Sequence, residues 1–171
     1  MLATRHVLLV ALLVWLATVV QGRAAHAVSI HGAQPDFPLI VLSCGALLLG
    51  SVPGTLLGFW TGLLTAVSLP MAYGSLFVSR IAAGAFAGGF GRSLIRDNFI
   101  VPPLVVLAAT LIAELMTAVM APGFALHHIR RWLWLLGGEL IYNTLLALPV
   151  SMLLRLCQVG RVDADPFGRL P

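Results

Sequence analysis

Six apolar runs, none with more than two charged side chains, take up most of this 171-residue chain. Only 9% of its residues are charged and 60% are hydrophobic, whereas a soluble domain carries about 25% charged residues. So few charges cannot cover the surface of a soluble fold, so the apolar excess must face a lipid bilayer. The pattern predicts an all-α integral membrane protein, a compact bundle of about six transmembrane helices.

The predicted spans cover residues 6–20, 38–52, 54–69, 71–94, 99–120 and 132–157. Together they form one helical domain over residues 1–158, followed by a polar cytoplasmic tail at 159–171. Pro53-Gly54 is expected to separate the second span from the third. Each of these two has only about 15 residues, or roughly 23 Å of helix against a hydrocarbon core of about 30 Å. They are either two short helices, which we favour, or one re-entrant hairpin.

The first apolar run has a second interpretation as a cleavable secretory signal. Arg5 precedes it, and Ala25-His26-Ala27 resembles a cleavage site. That site lies far from the apolar run and Arg23 intervenes, which favours a retained first span. The residues from 21 to 37 are expected to form a polar connector that includes Asp36.

The distribution of arginines predicts the orientation. With both termini inside, six arginines lie on the cytoplasmic side: Arg5, Arg92, Arg96, Arg155, Arg161 and Arg169. Three lie outside: Arg23, Arg130 and Arg131. The positive-inside rule therefore favours an N-in, C-in protein. The same scatter between apolar runs argues against a nucleic-acid partner, despite the net charge of +4.

Away from the span ends, three charged residues lie inside the predicted spans, namely Arg80, Glu114 and Glu139. A charge in lipid is costly unless it is paired, so each is expected to face the interior of the bundle. Helical rise places all three in the outer half of the membrane, within roughly 6 Å of one another in depth. Tyr142 and Asn143 follow Glu139 at i+3 and i+4, on the same helical face. The five residues are expected to form an intramembrane polar network, acting as structural glue, as a ligand site or as a partner contact.

Small residues recur at four-residue spacing on the third and fourth spans. Gly54, Gly58 and Gly62 form a GxxxGxxxG pattern, and Gly84 and Gly88 repeat the spacing on the next span. Such strips let helix backbones approach closely. We interpret them as packing within the chain, with a partner-helix interface as the alternative.

No catalytic signature is found, since GxSxG, HExxH and P-loop patterns are all missing from the sequence. His127-His128 has no further ligands nearby, and Cys44 and Cys157 lie in apolar runs without metal-binding spacing. We therefore expect no enzymatic activity, no metal and no cofactor.

Two stretches resemble the rod-shape-determining MreD family. The first is Gly54-Thr-Leu-Leu-Gly-Phe-Trp-Thr-Gly-Leu-Leu64, and the more specific one is Gly138-Glu-Leu-Ile-Tyr-Asn-Thr-Leu-Leu-Ala-Leu-Pro149 followed by Leu153-Leu-Arg155. Glu114 also matches the pattern, and the resemblance extends over nearly the whole chain. One departure is Ala66, which stands where the family usually carries an Asp.

The resemblance implies a non-enzymatic scaffold of the bacterial inner membrane, working in cell elongation and peptidoglycan synthesis. It implies the bitopic protein MreC as a partner and, through MreC, the actin-like MreB, the glycosyltransferase RodA and a penicillin-binding transpeptidase. It also implies a fold similar to the substrate-binding subunits of energy-coupling vitamin transporters. A transporter subunit is therefore the alternative function. Such subunits typically carry an Ala-x-x-x-Ala strip on the first span, but here the residue four positions after Ala11 is Trp15, and the residue four positions after Ala17 is Gln21.

Overall fold

The structure is a computed structural model, and it describes residues 2–68, 73–90, 98–120, 129–157 and 159. The helices of this part are α1 (Leu2–Ala27), α2 (Phe37–Leu49), α3 (Ser51–Ser68), α4 (Tyr73–Gly89), α5 (Val101–Met120) and α6 (Ile129–Leu156). The prediction of an all-helical protein is confirmed for these residues.

Helix α2 lies at the centre of the bundle. Ten of its 13 residues are buried, and it contacts each of the other five described helices. Asp36 caps its N-terminus by accepting a hydrogen bond from the amide of Leu39 at 3.0 Å. Gly50 ends it with a φ of 101°, a conformation that glycine adopts without steric cost. Gly50 therefore separates α2 from α3.

Helices α3 and α4 pack backbone to backbone through glycines. A Cβ added to Gly58 would lie 2.5 Å from the carbonyl oxygen of Arg80, and one added to Gly54 would lie 2.5 Å from that of Gly84. Two further contacts of this kind join Gly62 to Phe77 and Gly88 to Gly50. The five glycines singled out in the sequence thus all lie where a side chain would collide with a neighbouring backbone, which is how small residues bring helices together.

The outer surface and the helix lengths indicate a membrane protein. By length and composition, α5, α6 and residues Thr4–Ala27 of α1 are long and apolar enough to cross a bilayer. Large apolar side chains are exposed on each of these helices, for example Leu8 at 64%, Val119 at 84% and Leu156 at 77%. Helix α2 is apolar but has only 13 residues, or about 20 Å of helix.

Several element boundaries differ from the predicted spans. Helix α1 continues through residues 21–27, so the expected connector is shortened to residues 28–36. The break between the second and third spans falls at Gly50 rather than at Pro53-Gly54, because Pro53 lies in the first turn of α3, where its missing amide costs little. Helix α6 begins at Ile129 rather than at 132. Arg96, Asp97, most of the 121–131 loop and nearly all of the tail lie outside the described residues.

Candidate functional site

Arg80 on α4 forms an ion pair with Asp36, the residue that caps α2. Nη2 of the guanidinium donates to Oδ2 of the carboxylate, while Oδ1 accepts the amide of Leu39. The side chain of Arg80 is only 6% exposed and that of Asp36 is 14% exposed. A single carboxylate therefore caps the central helix and ties it to α4.

Asn143 on α6 is completely buried and joins three elements. Its Oδ1 accepts the backbone amide of Asp36 at 2.9 Å, and its Nδ2 donates to the hydroxyl of Thr110 on α5 at 3.1 Å. Nδ2 also donates to Oε1 of Glu139, one turn earlier on α6, at 3.4 Å. A buried amide with partners on both its oxygen and its nitrogen favours one packing arrangement of these elements over others.

Glu114 on α5 and Glu139 on α6 complete the group of ionisable side chains. Both are half-buried, both interact electrostatically with Arg80 and Asp36, and Glu139 also interacts with Glu114. We refer to the following residues as the polar cluster: Asp36, Arg80, Thr110, Glu114, Glu139 and Asn143.

The α1–α2 loop, residues 28–36, lies along the N-terminal half of α6. Its tip is a tight turn in which His31 and Gly32 have φ values of 52° and 88°. Two hydrogen bonds between Ile30 and Ala33, at 3.0 and 3.1 Å, close this turn. The turn sits close to α6 because Gly138 has no side chain, and a Cβ there would collide with that of Ala33.

Two polar side chains fasten the ends of the α1–α2 loop. The hydroxyl of Tyr142 donates to the carbonyl oxygen of Val28 at 2.7 Å. The amide of Gln21 on α1 donates to the carbonyl of Pro35 at 2.8 Å and accepts the amide of Phe37 at 2.9 Å. The loop that carries Asp36 is therefore held from both α1 and α6.

Four of the five residues predicted to form a polar network are brought together. Arg80, Glu114 and Glu139 interact electrostatically, and Asn143 binds Glu139. The carboxylate bound to Arg80 is nevertheless that of Asp36 rather than of either glutamate. The hydroxyl of Tyr142 contacts the α1–α2 loop instead of the cluster.

Sequence reasoning missed Asp36 and Gln21. Asp36 was expected in a polar connector, yet the pattern Asp36-Phe37-Pro38 ahead of an apolar run is a helix N-cap signal that places it at the end of a buried helix. Gln21 offered no comparable signal, because its partners are backbone groups of a distant irregular segment. Ala66, which replaces the family Asp, is buried on α3 at 7% exposure.

The cluster offers carboxyl groups and a guanidinium, but no metal-binding geometry. Among the described residues, no three His, Cys, Asp or Glu side chains are placed to hold a metal ion. Nε and Nη1 of Arg80 are buried and have no hydrogen-bond partner within that same part of the chain. In comparisons with protein-family models, curated proteins and solved structures, nothing matches this chain.

Proposed function

We propose that the protein is a non-enzymatic membrane scaffold of the bacterial cell-elongation machinery, the function implied by its resemblance to the MreD family. The observation that carries this proposal is the use of three motif residues, Gly138, Tyr142 and Asn143, to hold the α1–α2 loop against α6. A loop that is rigid before binding loses less conformational entropy when a partner docks. Residues used in this way suit a protein that presents a surface rather than one that performs chemistry.

The proposed setting is the bacterial inner membrane, with six spans and both termini in the cytoplasm. In that orientation the α1–α2 loop faces the periplasm. It exposes apolar side chains there, with Val28 at 47% and Ile30 at 60% exposure. The proposed partner is a bitopic protein of the MreC type, which in turn contacts MreB, RodA and a penicillin-binding transpeptidase.

The test is a detergent pull-down with MreC of the same organism as bait, combined with deletion of the gene. We expect the protein to be retained by MreC and the deletion strain to lose its rod shape. An Ile30→Ser variant should be retained less, whereas Leu145→Ser, at a comparably exposed position on α6 (63%), is the matched control and should be retained normally. Normal cell shape together with no association with MreC would remove the scaffold proposal.

A small-molecule transporter subunit is the second candidate function. The observation in its favour is that one edge of Arg80 is buried and has no hydrogen-bond partner among the described residues, while two glutamates interact with this arginine electrostatically. A polar solute needs such groups. Against it, the amide of Gln21 is bound to the α1–α2 loop, so this residue does not complete a small-residue docking strip on α1. Uptake of labelled riboflavin, thiamine and biotin by cells with and without the protein distinguishes the two functions.

A further inference from the structure

The polar cluster contains more acids than bases. Asp36, Glu114 and Glu139 supply three carboxyl groups, and Arg80 supplies one guanidinium. If all were ionised, two negative charges would be left without a partner among helices that carry apolar surfaces. Charges buried without a partner are strongly disfavoured, and such groups become neutral instead.

Asp36 is the carboxyl group that already has a counter-charge and partners on both oxygens. One of its oxygens accepts from Nη2 of Arg80, and the other accepts from the amide of Leu39 as the helix cap. Glu139 accepts a long hydrogen bond of 3.4 Å from Asn143, and it also interacts electrostatically with Glu114. The excess of acid is therefore concentrated on the two glutamates.

Two hydrogen-bond donor atoms of Arg80 have no acceptor among the described residues. Arg80 is 5% exposed, and its Nε and Nη1 atoms are buried without a partner in the described part of the chain. Buried donors are nearly always paired in folded proteins, so these atoms require an acceptor. A glutamate that has released its proton is such an acceptor, and it would also be compensated by the guanidinium charge.

We propose that Glu114 and Glu139 form a proton-binding site, and that the free Nε–Nη1 edge of Arg80 binds the carboxylate left when the proton departs. In this step the O–H bond of one glutamic acid breaks, the proton passes to water, and the carboxylate keeps the electron pair. The reverse step frees the arginine edge again. This site goes beyond the scaffold function and depends on no particular partner.

The elements around the pair supply few other titratable groups. Helix α3 has none in its sequence, and the thiol of Cys44 on α2 donates to the carbonyl of Ala147. Tyr142 is bound to Val28. The charged or titratable side chains Arg23, His26, His31, Arg130 and Arg131 are exposed. Arg155 lies over the ring of Phe99. A titration seen at the two glutamates is therefore assigned to the polar cluster.

The composition of the chain makes the test specific. Glu114 and Glu139 are its only glutamates, so glutamate labelled with ¹³C at Cδ reports on this site alone. In the full-length wild-type protein in detergent micelles, we expect at least one Cδ resonance at the position of a protonated carboxyl at neutral pH. It should move to the carboxylate position as the pH is raised. Two resonances already at the carboxylate position at neutral pH would overturn the proposal.

Variants and salt then identify the groups involved. Glu114→Gln leaves Glu139 as the only labelled residue and assigns the resonances. In Arg80→Gln the titration should occur at a different pH from wild type, because the carboxylate has lost its counter-charge, and an unchanged titration would exclude Arg80 from the site. The wild-type titration is repeated in sodium and in potassium salts. A midpoint that follows the sodium concentration would show a metal cation in place of the proton and would also overturn the proposal.

Discussion

At the scale of single residues, the amide of Asn143 makes a sharp test of the polar cluster. Asn143→Leu keeps the approximate volume but leaves the amide of Asp36 without its acceptor and removes the donor to Thr110. A buried group stripped of its partner costs about 1–3 kcal/mol, so the free energy of unfolding in detergent should fall by about that amount. Urea or thermal unfolding of the purified protein measures it.

The neighbouring Thr144 provides the matched control. Its hydroxyl is buried and has no hydrogen-bond partner in the described chain, so Thr144→Val removes a polar atom without breaking a bond. Stability should be unchanged or slightly higher. A Thr144→Val protein that loses as much stability as Asn143→Leu would mean that this part of α6 responds to volume rather than to hydrogen bonding.

The Arg80–Asp36 ion pair predicts a strongly non-additive double-mutant cycle. Arg80→Gln leaves Asp36 as a poorly exposed charge, and Asp36→Asn does the same for Arg80, so each should cost about 3–5 kcal/mol. The double variant should cost clearly less than the sum, because no charge is then left alone. Arg23→Gln, at an exposed position on α1, is the control and should stay within about 0.5 kcal/mol of wild type. Additive losses would show that the two side chains act separately.

The burial of a charged residue could be predicted from the sequence where that residue lies within an apolar run. Arg80 and Glu139 interrupt apolar runs, and this alone indicates that they face the protein interior. Asp36 lies at the edge of such a run, where a charged residue gives no indication in the sequence that it is buried. Asp36 pairs with Arg80 because α2 begins at Phe37 and because α2 lies at the centre of the bundle. The central position of α2 is a property of the folded bundle, so the sequence does not predict it.

At the scale of the elements, the contact between α3 and α4 depends on glycine. A Cβ at Gly58 would lie 2.5 Å from the carbonyl oxygen of Arg80, so Gly58→Ala forces the two backbones apart and should cost about 1–3 kcal/mol. Gly137 on α6 has no atom of the described residues within 4 Å of such a Cβ, so Gly137→Ala should gain up to about 1 kcal/mol of helix propensity. Unfolding in detergent compares the pair. Equal effects of the two substitutions would remove close packing as the reason for the glycine pattern.

The tip of the α1–α2 loop makes a separate prediction. Gly32 has a φ of 88°, which strains β-branched residues but is more readily tolerated by asparagine. Gly32→Val should raise amide hydrogen exchange across residues 28–36, whereas Gly32→Asn should leave it close to wild type. Mass spectrometry of deuterated peptides measures both. If the two variants exchange alike, the turn does not constrain this loop.

Helices were predicted more reliably than their ends. The apolar runs located all six described helices, but α1 continues into residues 21–27 although Arg23 and His26 are polar. Both side chains are exposed there, so polarity ends the apolar run without ending the helix. Gly50 ends α2 through its positive φ. The sequence alone does not distinguish Gly50 from Pro53-Gly54 as the site of the break.

At the scale of the whole molecule, the polar contacts described above gather around the α1–α2 loop. Gln21 near the end of α1, Thr110 in the middle of α5, and Tyr142 and Asn143 in the middle of α6 meet around the α1–α2 loop and the start of α2. Short connections predict antiparallel neighbours of this kind. They do not predict that the shortest helix lies in the middle, because the contacts of α2 with α4, α5 and α6 join segments distant in sequence.

The number of membrane crossings is testable by cysteine labelling. In a Cys44→Ala/Cys157→Ala background, single cysteines are placed at three exposed positions, Ile30, Ser51 and Asn98. With six spans and the N-terminus inside, a membrane-impermeant maleimide should label Ile30→Cys in intact spheroplasts. It should label Ser51→Cys and Asn98→Cys only after permeabilisation.

Ser51 is the decisive position among the three. It follows α2, whose 13 residues reach only about 20 Å, so its exposure on the inner face requires the bilayer to thin locally around the bundle. If Ser51→Cys is unlabelled from both sides while Asn98→Cys is labelled from inside, α2 and α3 form a re-entrant hairpin and the chain crosses the membrane four times. Labelling of Ile30→Cys only after permeabilisation would reverse the orientation. The α1–α2 loop would then face the cytoplasm, out of reach of a periplasmic partner.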